Sequence, residues 1–380
     1  MDLTDIRTRI DRIDDELLER FVDRMEIATE VARSKKETGK AVFDPARERD
    51  KLAAVAAQAP ERFRDQAVSL FSLLMSMNKA EQLRVLHGSN PSDAAGAVRR
   101  ELDAPRAAFP RSARIACQGV EGAYSQIAAC RLFRLPTITY CNTFEDVFRA
   151  VRDGACDYGV VPIENSTAGS VNAVYDLLAA YSCSIVKSLR QKIDHQLLAK
   201  PGSSLDDIRE VYSHEQAVAQ CSGFLAELGA HVNVFDNTAM AAEFVASSDR
   251  RDVAALSSRD CAKLYGLDVL ASDVQDSDSN YTRFVVIAPQ LEIYPGAMRT
   301  SLMLTLPHEP GALYRVLERL YALDVNMVKL ESRPIVGRDF EFTFYFDLEC
   351  AADERLIGLL NALDDVCEHL RYFGSYTEVL

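Results

Sequence analysis

Along residues 3–37 the apolar side chains recur at steps of three and four: Leu3, Ile6, Ile10, Ile13 and Leu17, then Phe21, Ala28 and Val31. That spacing puts one stripe on one face of an α-helix, and no Pro or Gly interrupts it before Gly39. Asp44-Pro45 supplies a cap and a first-turn proline for a second helix over 45–58, and after Ala59-Pro60 a third is predicted over 62–86. At about 1.5 Å per residue the first helix is about 50 Å long, more than two short partners cover. A dimer that shares its helices buries the seam. Residues 87–112 lose the periodicity and hold Gly, Pro and Ser, so they read as a linker with a loose helical turn.

From Arg114 short β-branched runs alternate with helical patterns. RIAC precedes EGAYSQIAACRLF, TITYC precedes FEDVFRAVRDG, and DYGVVPIE precedes a helix opening near Gly169-Ser170. A second set repeats the scheme: EVYS, HVNVFD and DVAALS, each followed by a helix. This predicts an α/β region over 113–290 in two lobes of similar build, with DYGVVPIENS and DVAALSSRDC as structural counterparts. Residues 299–380 read strand, helix, strand, strand, helix, strand, an α+β ferredoxin-like (βαββαβ) unit. The chain is therefore multidomain: all-α helices over 1–86, a linker over 87–112, a two-lobed α/β domain, and the α+β unit.

Composition narrows the function. A chain of 380 residues exceeds one ordinary core, which agrees with several domains. The net charge of −14 argues against general nucleic-acid binding and against docking on an anionic membrane. The N-terminus is charged throughout, and no run is long enough to span a bilayer. Nine cysteines, an odd number without a CxxC pair, fit a reduced, cytoplasmic chain. No histidine spacing suggests a metal, and no cofactor motif is present.

Two groups of polar residues stand out. Arg24 and Lys35 lie eleven residues apart, close to three helical turns, and so share a face on which they can flank one small ligand. Arg7 is about 25 Å further down the helix and about 100° around it, so any contribution to that ligand comes from a partner subunit. The second group falls at strand ends: Ser125, Glu164-Asn165-Ser166-Thr167, Ser170, Ser213-His214, Thr238 and Ser257, with Thr282-Arg283 opening a strand after the polar run DVQDSDSN. Each alone is an ordinary cap or strand start. Together they line the carboxyl ends of strands, where open α/β folds bind ligands and helix N-termini favour anions.

Residues 1–86 resemble the all-helical chorismate mutases, through IRTRIDRIDDELLERFVDRMEIATEVARSKK and FDPARERDKL. The resemblance implies that Arg7, Arg24 and Arg47 bind the two carboxylates of chorismate, and that Lys35 and Gln82 hydrogen-bond the ether oxygen of the breaking bond. It assigns Asp44 and Glu48 to the ring hydroxyl and its surroundings, and puts Asn78 where many members have Ser. A [3,3] rearrangement involves no proton transfer, so fixed donors and Arg clamps suffice.

Residues 113–290 resemble prephenate dehydratase through GVEGAYS, VPIENSTAGSV, Ser213-His214 and NYTRFVVI. The resemblance makes Thr282 the active-site hydroxyl that assists departure of the ring hydroxyl of prephenate while the ring carboxylate leaves as carbon dioxide. His214 is the alternative proton donor. Arg283 holds a substrate carboxylate or the local loop, Phe284 packs beneath, and the hydroxyl-rich strand ends line the cleft. GALYRVLERL and KLESRPI resemble the ACT regulatory domain, which implies phenylalanine as effector at Gly311, Ala312, Leu313, Glu331, Ser332, Arg333 and Pro334, across a subunit interface. All three motif sets occur in the order of the bifunctional chorismate mutase/prephenate dehydratases. The expectation is a homodimer or higher homo-oligomer that acts on chorismate and prephenate. A two-lobed solute-binding sensor and a scaffold with one dead site are the rivals; the first leaves the helices unexplained, and for the second no motif residue is lost.

Overall fold

The computed structural model describes residues 2–38, 44–87, 92–335 and 341–380. The chain divides into two compact units, Met1–Asp93 with Asn361–Cys367, and Ala94–Leu360 with Glu368–Leu380.

The first unit is helical. Helices α1 (Leu3–Thr38), α2 (Pro45–Gln58) and α3 (Arg64–His87) follow the apolar spacing closely. The Asp44 carboxylate accepts the Arg47 N–H at 3.1 Å and caps α2, with Pro45 in the first turn where no donor is needed. Helix α3 packs against both α1 and α2. The buried face of α1 is short and small, Ala28 and Ala32, whereas Leu3, Ile6, Ile10, Ile13 and Leu17 are 40–58% exposed. The apolar stripe is thus present, and one chain leaves most of it uncovered.

Part of the predicted linker is an amphipathic helix, α4 (Asp93–Asp103), which buries Ala95 and Val98. Only two apolar positions three apart carry its face, too few to stand out as a period. It is followed by β1 (Ser112–Gln118), α5 (Tyr124–Leu132), β2 (Leu135–Cys141), α6 (Phe144–Arg152), β3 (Tyr158–Asn165), β4 (Gly169–Ser170), α7 (Asn172–Ala180) and β5 (Ser184–Lys192). The second lobe holds β6 (Gln196–Ala199), β7 (Glu210–Ser213), α8 (Glu215–Gln220), α9 (Ser222–Leu228), β8 (His231–Val234), α10 (Thr238–Ser247), β9 (Val253–Ser257), α11 (Arg259–Tyr265) and β10 (Asp268–Ala271). Strand β11 (Tyr281–Ala288) returns to the first lobe.

The lobes echo each other. Their strand orders are β2-β1-β3-β11-β5 and β8-β7-β9-β6-β10. In each, three parallel strands are extended by two more through two antiparallel pairings. Strands β3 and β9, from DYGVVPIENS and DVAALSSRDC, hold equivalent places. Residues 193–195 and 272–280 are the two crossings between lobes.

The last elements are β12 (Arg299–Thr305), α12 (Ala312–Ala322), β13 (Asn326–Pro334), β14 (Phe342–Glu349), α13 (Glu354–Asp364) and β15 (His369–Val379), the expected βαββαβ order. Their sheet does not stand apart. Strand β15 pairs in parallel with β5, making one ten-stranded sheet with the first lobe. Met303, Tyr345, Phe373 and Tyr376 share a core with Val147, Phe148 and Ile185. Gly374 sits at φ +143°, where a Cβ would lie 2.2 Å from the Ile185 carbonyl oxygen, so only glycine permits this approach. Among the described residues no helix is long and apolar enough to cross a membrane.

Candidate active site

In the helical unit the Arg24 guanidinium donates to the Leu74 carbonyl at 2.7 Å and to Asn78 Oδ1 at 2.5 Å. Burial lowers the Arg24 pKa. Glu48 pairs with Lys79 at 3.1 Å, a cation that the motif comparison did not single out. Gln82 is buried, and its Oε1 lacks a hydrogen-bond partner, the condition in which a ligand's polar group is expected. Lys35 is half-buried, Arg47 is exposed, and Asp44 is engaged as the cap of α2. Arg7 is exposed near the far end of α1.

Between the two α/β lobes lies a cavity of about 490 Å³. Of the hydroxyl-rich set, Ser125, Asn165, Ser170, His214, Thr238, Thr282 and Phe284 line it. The N-termini of α5, α8 and α10 open on it through Tyr124, Gln216 and Asn237-Thr238. No Arg or Lys is among the described lining residues, so an anion there meets backbone N–H groups and helix dipoles rather than cations. His214 caps α8 by accepting the Gln216 N–H on Nδ1, which leaves Nε2 as its free nitrogen.

Six expected lining residues do not line the cavity. The reason at Arg283 is strand geometry. Successive side chains of β11 point to opposite faces, so Thr282 and Phe284 share the cavity face and Arg283 cannot. Its guanidinium is instead buried against Asp347 of β14, with Glu164 at 3.5 Å. Burial works against the charge, but the Asp347 carboxylate, joined by Tyr376 and Tyr175, outweighs it, so the Arg283 pKa is raised. Glu164, adjacent to cavity-facing Asn165 on β3, likewise turns away and pairs with Lys329 at 3.1 Å. Ser166 ties the loop to β11: its Oγ donates to the Ser279 carbonyl at 2.6 Å and accepts the Tyr281 N–H at 2.9 Å. Thr167 donates its hydroxyl to Asn165. Ser213 donates to the Leu256 carbonyl at 2.8 Å, and Ser257 is fully buried in β9; both belong to the sheet interior.

Sequence reasoning missed an amide network that spans the lobes. Backbone N–H groups of Thr167 and Ala168 donate to Asn165 Oδ1 at 3.0 and 2.9 Å, which fixes the orientation of that amide. Asn165 Nδ2 therefore faces Thr282 Oγ1 at 3.0 Å and Asn280 Oδ1 at 2.9 Å. Asn280 Nδ2 in turn donates to Gln220 Oε1 at 3.0 Å, and Gln220 Nε2 to Thr167 Oγ1 at 2.8 Å. Since Thr282 Oγ1 already accepts from Asn165, its own proton is left for another acceptor. His195, on the first crossing, meets the same Gln220 Oε1 through Nε2 at 3.0 Å. Gln220 and His195 sit in ordinary helical and strand-edge contexts, and only the closure of the lobes joins them to Thr282.

The effector set also divides. Gly311, Ala312 and Leu313 line a cavity of about 400 Å³ with Leu306, Tyr314, Phe342 and Phe344. Gly311 has φ +84° as the N-cap of α12, and the space beside it is open. In the single chain, Glu331, Ser332, Arg333 and Pro334 lie elsewhere, on edge strand β13. Glu331 accepts the Ser170 hydroxyl at 2.8 Å, Lys329 donates to Ser170 Oγ at 2.7 Å, and Arg333 pairs with Asp176 at 2.9 Å. Strand β13 thus touches a residue of the interlobe cavity directly.

Known proteins resemble this arrangement part by part. Residues 115–291 match the family described as prephenate dehydratase, and residues 6–83 that described as chorismate mutase type II. A bifunctional chorismate mutase/prephenate dehydratase of Aquifex aeolicus is 31% identical over 383 residues, covering 100% of this chain and 99% of its own. An arogenate dehydratase/prephenate dehydratase of Arabidopsis thaliana is 38% identical over 276 residues, 69% of this chain and 72% of its own. Among solved structures, the prephenate dehydratase of Arthrobacter aurescens in complex with L-Phe superposes with a TM-score of 0.64 at 30% identity, covering 70% of this chain and 89% of that one.

Proposed function

Since this chain belongs to the bifunctional chorismate mutase/prephenate dehydratase family, we propose a site for each of its reactions and a role for its last unit. The chain is an enzyme of aromatic amino acid biosynthesis that forms prephenate from chorismate and dehydrates it with loss of carbon dioxide.

The dehydratase site is the interlobe cavity. The observation that carries this reading is the fixed direction of the amide network: Asn165 donates to Thr282, so the Thr282 proton is available to the leaving hydroxyl. Among the described residues no acid hydrogen-bonds Thr282 to replace a transferred proton; its side-chain contact is the Asn165 amide. Thr282 accordingly stabilises the departing oxygen as a hydrogen-bond donor, and solvent neutralises the hydroxide that leaves. The ring carboxylate departs as carbon dioxide, and its bond electrons complete the aromatic ring. The N-termini of α5, α8 and α10 hold the substrate carboxylates, in place of Arg283.

The mutase site is formed by Arg24, Lys35, Arg47, Glu48, Asn78 and Gln82, completed by Arg7 from a second copy of the chain. The exposed stripe Leu3-Ile6-Ile10-Ile13-Leu17 supports the shared dimer, since it runs along the helix that carries Arg7. Lys35→Ala and Arg7→Ala should each lower mutase turnover by about 10²- to 10³-fold. Mixed subunits of the two variants should regain about half the wild-type activity per heterodimer, because one site of each pair is intact. Mutase assays on purified heterodimers check this, and no recovery would count against the shared site.

Residues 299–380 act as an ACT unit that responds to phenylalanine. An apolar cavity beside Gly311 and the direct contact of β13 with Ser170 support feedback on dehydration. Incubation with chorismate should yield phenylpyruvate and carbon dioxide, with less phenylpyruvate and accumulated prephenate when phenylalanine is added. Product analysis by chromatography tests this. Prephenate as the final product without phenylalanine would mean an inactive dehydratase, and identical product ratios with and without it would remove the feedback reading.

A further inference from the structure

The amide network has a second end, at His195. Backbone N–H groups orient Asn165, Asn165 orients Asn280, and Asn280 orients Gln220 with Oε1 toward His195. Gln220 Oε1 can only accept, so His195 Nε2 must carry the proton at 3.0 Å, and Nδ1 must be the bare acceptor. His195 is 2% exposed and lines the interlobe cavity, yet Nδ1 is buried without a partner. Burial lowers the His195 pKa, which favours the neutral ring. His195 lines the cavity, so a donor on a bound ligand is available to satisfy this buried acceptor of forced polarity.

Prephenate offers one. At neutral pH its two carboxylates and its keto group only accept, and the ring hydroxyl is its single donor. The aromatic product, phenylpyruvate, has lost that hydroxyl. We propose that His195 reads the ring hydroxyl of prephenate, accepting its hydrogen bond on Nδ1 and so telling substrate from product. The two ends of one network then meet the same hydroxyl with complementary roles: Thr282 donates a hydrogen bond to its oxygen, and His195 accepts the hydrogen bond that its O–H donates. Once the carbon–oxygen bond has broken, the donor is gone and Nδ1 is unpaired against the product, which weakens product binding. The O–H bond survives as the carbon–oxygen bond stretches, so the contact is made alike in the ground and transition states and acts on KM rather than on kcat.

Two variants separate the nitrogens. In His195→Gln the amide reaches the Nε2 position and can donate to Gln220, but it places no acceptor at Nδ1. In His195→Asn the amide oxygen replaces Nδ1, and the contact to Gln220 is lost. With full-length protein, His195→Gln should raise the prephenate KM about 10- to 100-fold, with kcat and the phenylpyruvate Ki changed by less than about threefold. His195→Asn should keep the prephenate KM within about threefold of wild type. A variant that is partly unfolded is read through the ratio of prephenate KM to phenylpyruvate Ki, which loss of folded enzyme does not alter. An unchanged ratio in His195→Gln, or an equal rise in the prephenate KM in both variants, overturns the proposal and leaves His195 as a support for Gln220. The inference rests on the interlobe cavity being the dehydratase site. Undiminished dehydration by Thr282→Ala would overturn that premise separately.

Discussion

Thr282→Ala should cut dehydratase turnover by about 10²- to 10³-fold, the cost of losing one donor aimed at developing charge. Mutase activity should be unchanged. The two arms follow from membership of different compact units: Thr282 belongs to the second, and Arg24 and Lys35 to the first. Thr282→Ser keeps an Oγ that can accept from Asn165, and should recover most of the turnover. Thr282→Val keeps the shape and loses the hydroxyl, and should behave as Thr282→Ala does. Prephenate and phenylpyruvate are assayed separately for each variant. Equal loss of both activities in Thr282→Ala would point to a folding defect and sink the assignment. A silent Thr282→Val would do the same for the hydroxyl.

Arg283→Met should act on stability first. The substitution removes the cation from a pair whose side chains are only 11% and 8% exposed, and leaves the Asp347 carboxylate buried with Ser301 and Tyr376. Breaking such a pair costs about 3–5 kcal/mol, because the remaining charge is uncompensated. Replacing both partners, Arg283→Met with Asp347→Leu, should recover much of that loss, since the desolvation of two ions disappears with them. Denaturant unfolding of the full chain, followed through the transition of the α/β unit, measures both. The rival role is also decided: had Arg283 held a substrate carboxylate, Arg283→Met would raise the prephenate KM at wild-type stability. The pair further joins β11 to β14, so its loss should loosen the last unit from the first lobe.

Much of the architecture was legible because it is local. Heptad-like spacing over residues 3–37 and the Asp44-Pro45 cap define helices within a few neighbours of each residue. Alternation of short β-branched runs with helical patterns revealed the two lobes, and their echo survives in the matching strand orders. Helix α4 was legible only as a loose helical turn in a linker, because two buried residues do not make a period. The strand-end residues pointed to a cleft between the lobes, and seven of the expected lining set, four of them hydroxyls, face the interlobe cavity. They failed as a list for a reason that alternation supplies: neighbours on a strand face opposite ways, so Glu164-Asn165 and Thr282-Arg283 cannot both serve one cavity.

What the sequence by itself determined about this protein is its set of elements, their order, and the residue types able to carry each reaction, since these depend on spacing along the chain. Tertiary structure alone decided which way the hydrogen bonds run. Asn165, Gln220, Asn280 and His195 are far apart in sequence, and each amide could face either way until the backbone of Thr167 and Ala168 fixes the first of them. It also decided that the last unit continues the first lobe's sheet, through Gly374 and the buried Arg283–Asp347 pair. Both are long-range outcomes: a polar group buried on lobe closure must find a partner of the opposite character, and which partner it finds depends on the crossing of the lobes, not on its neighbours in the chain.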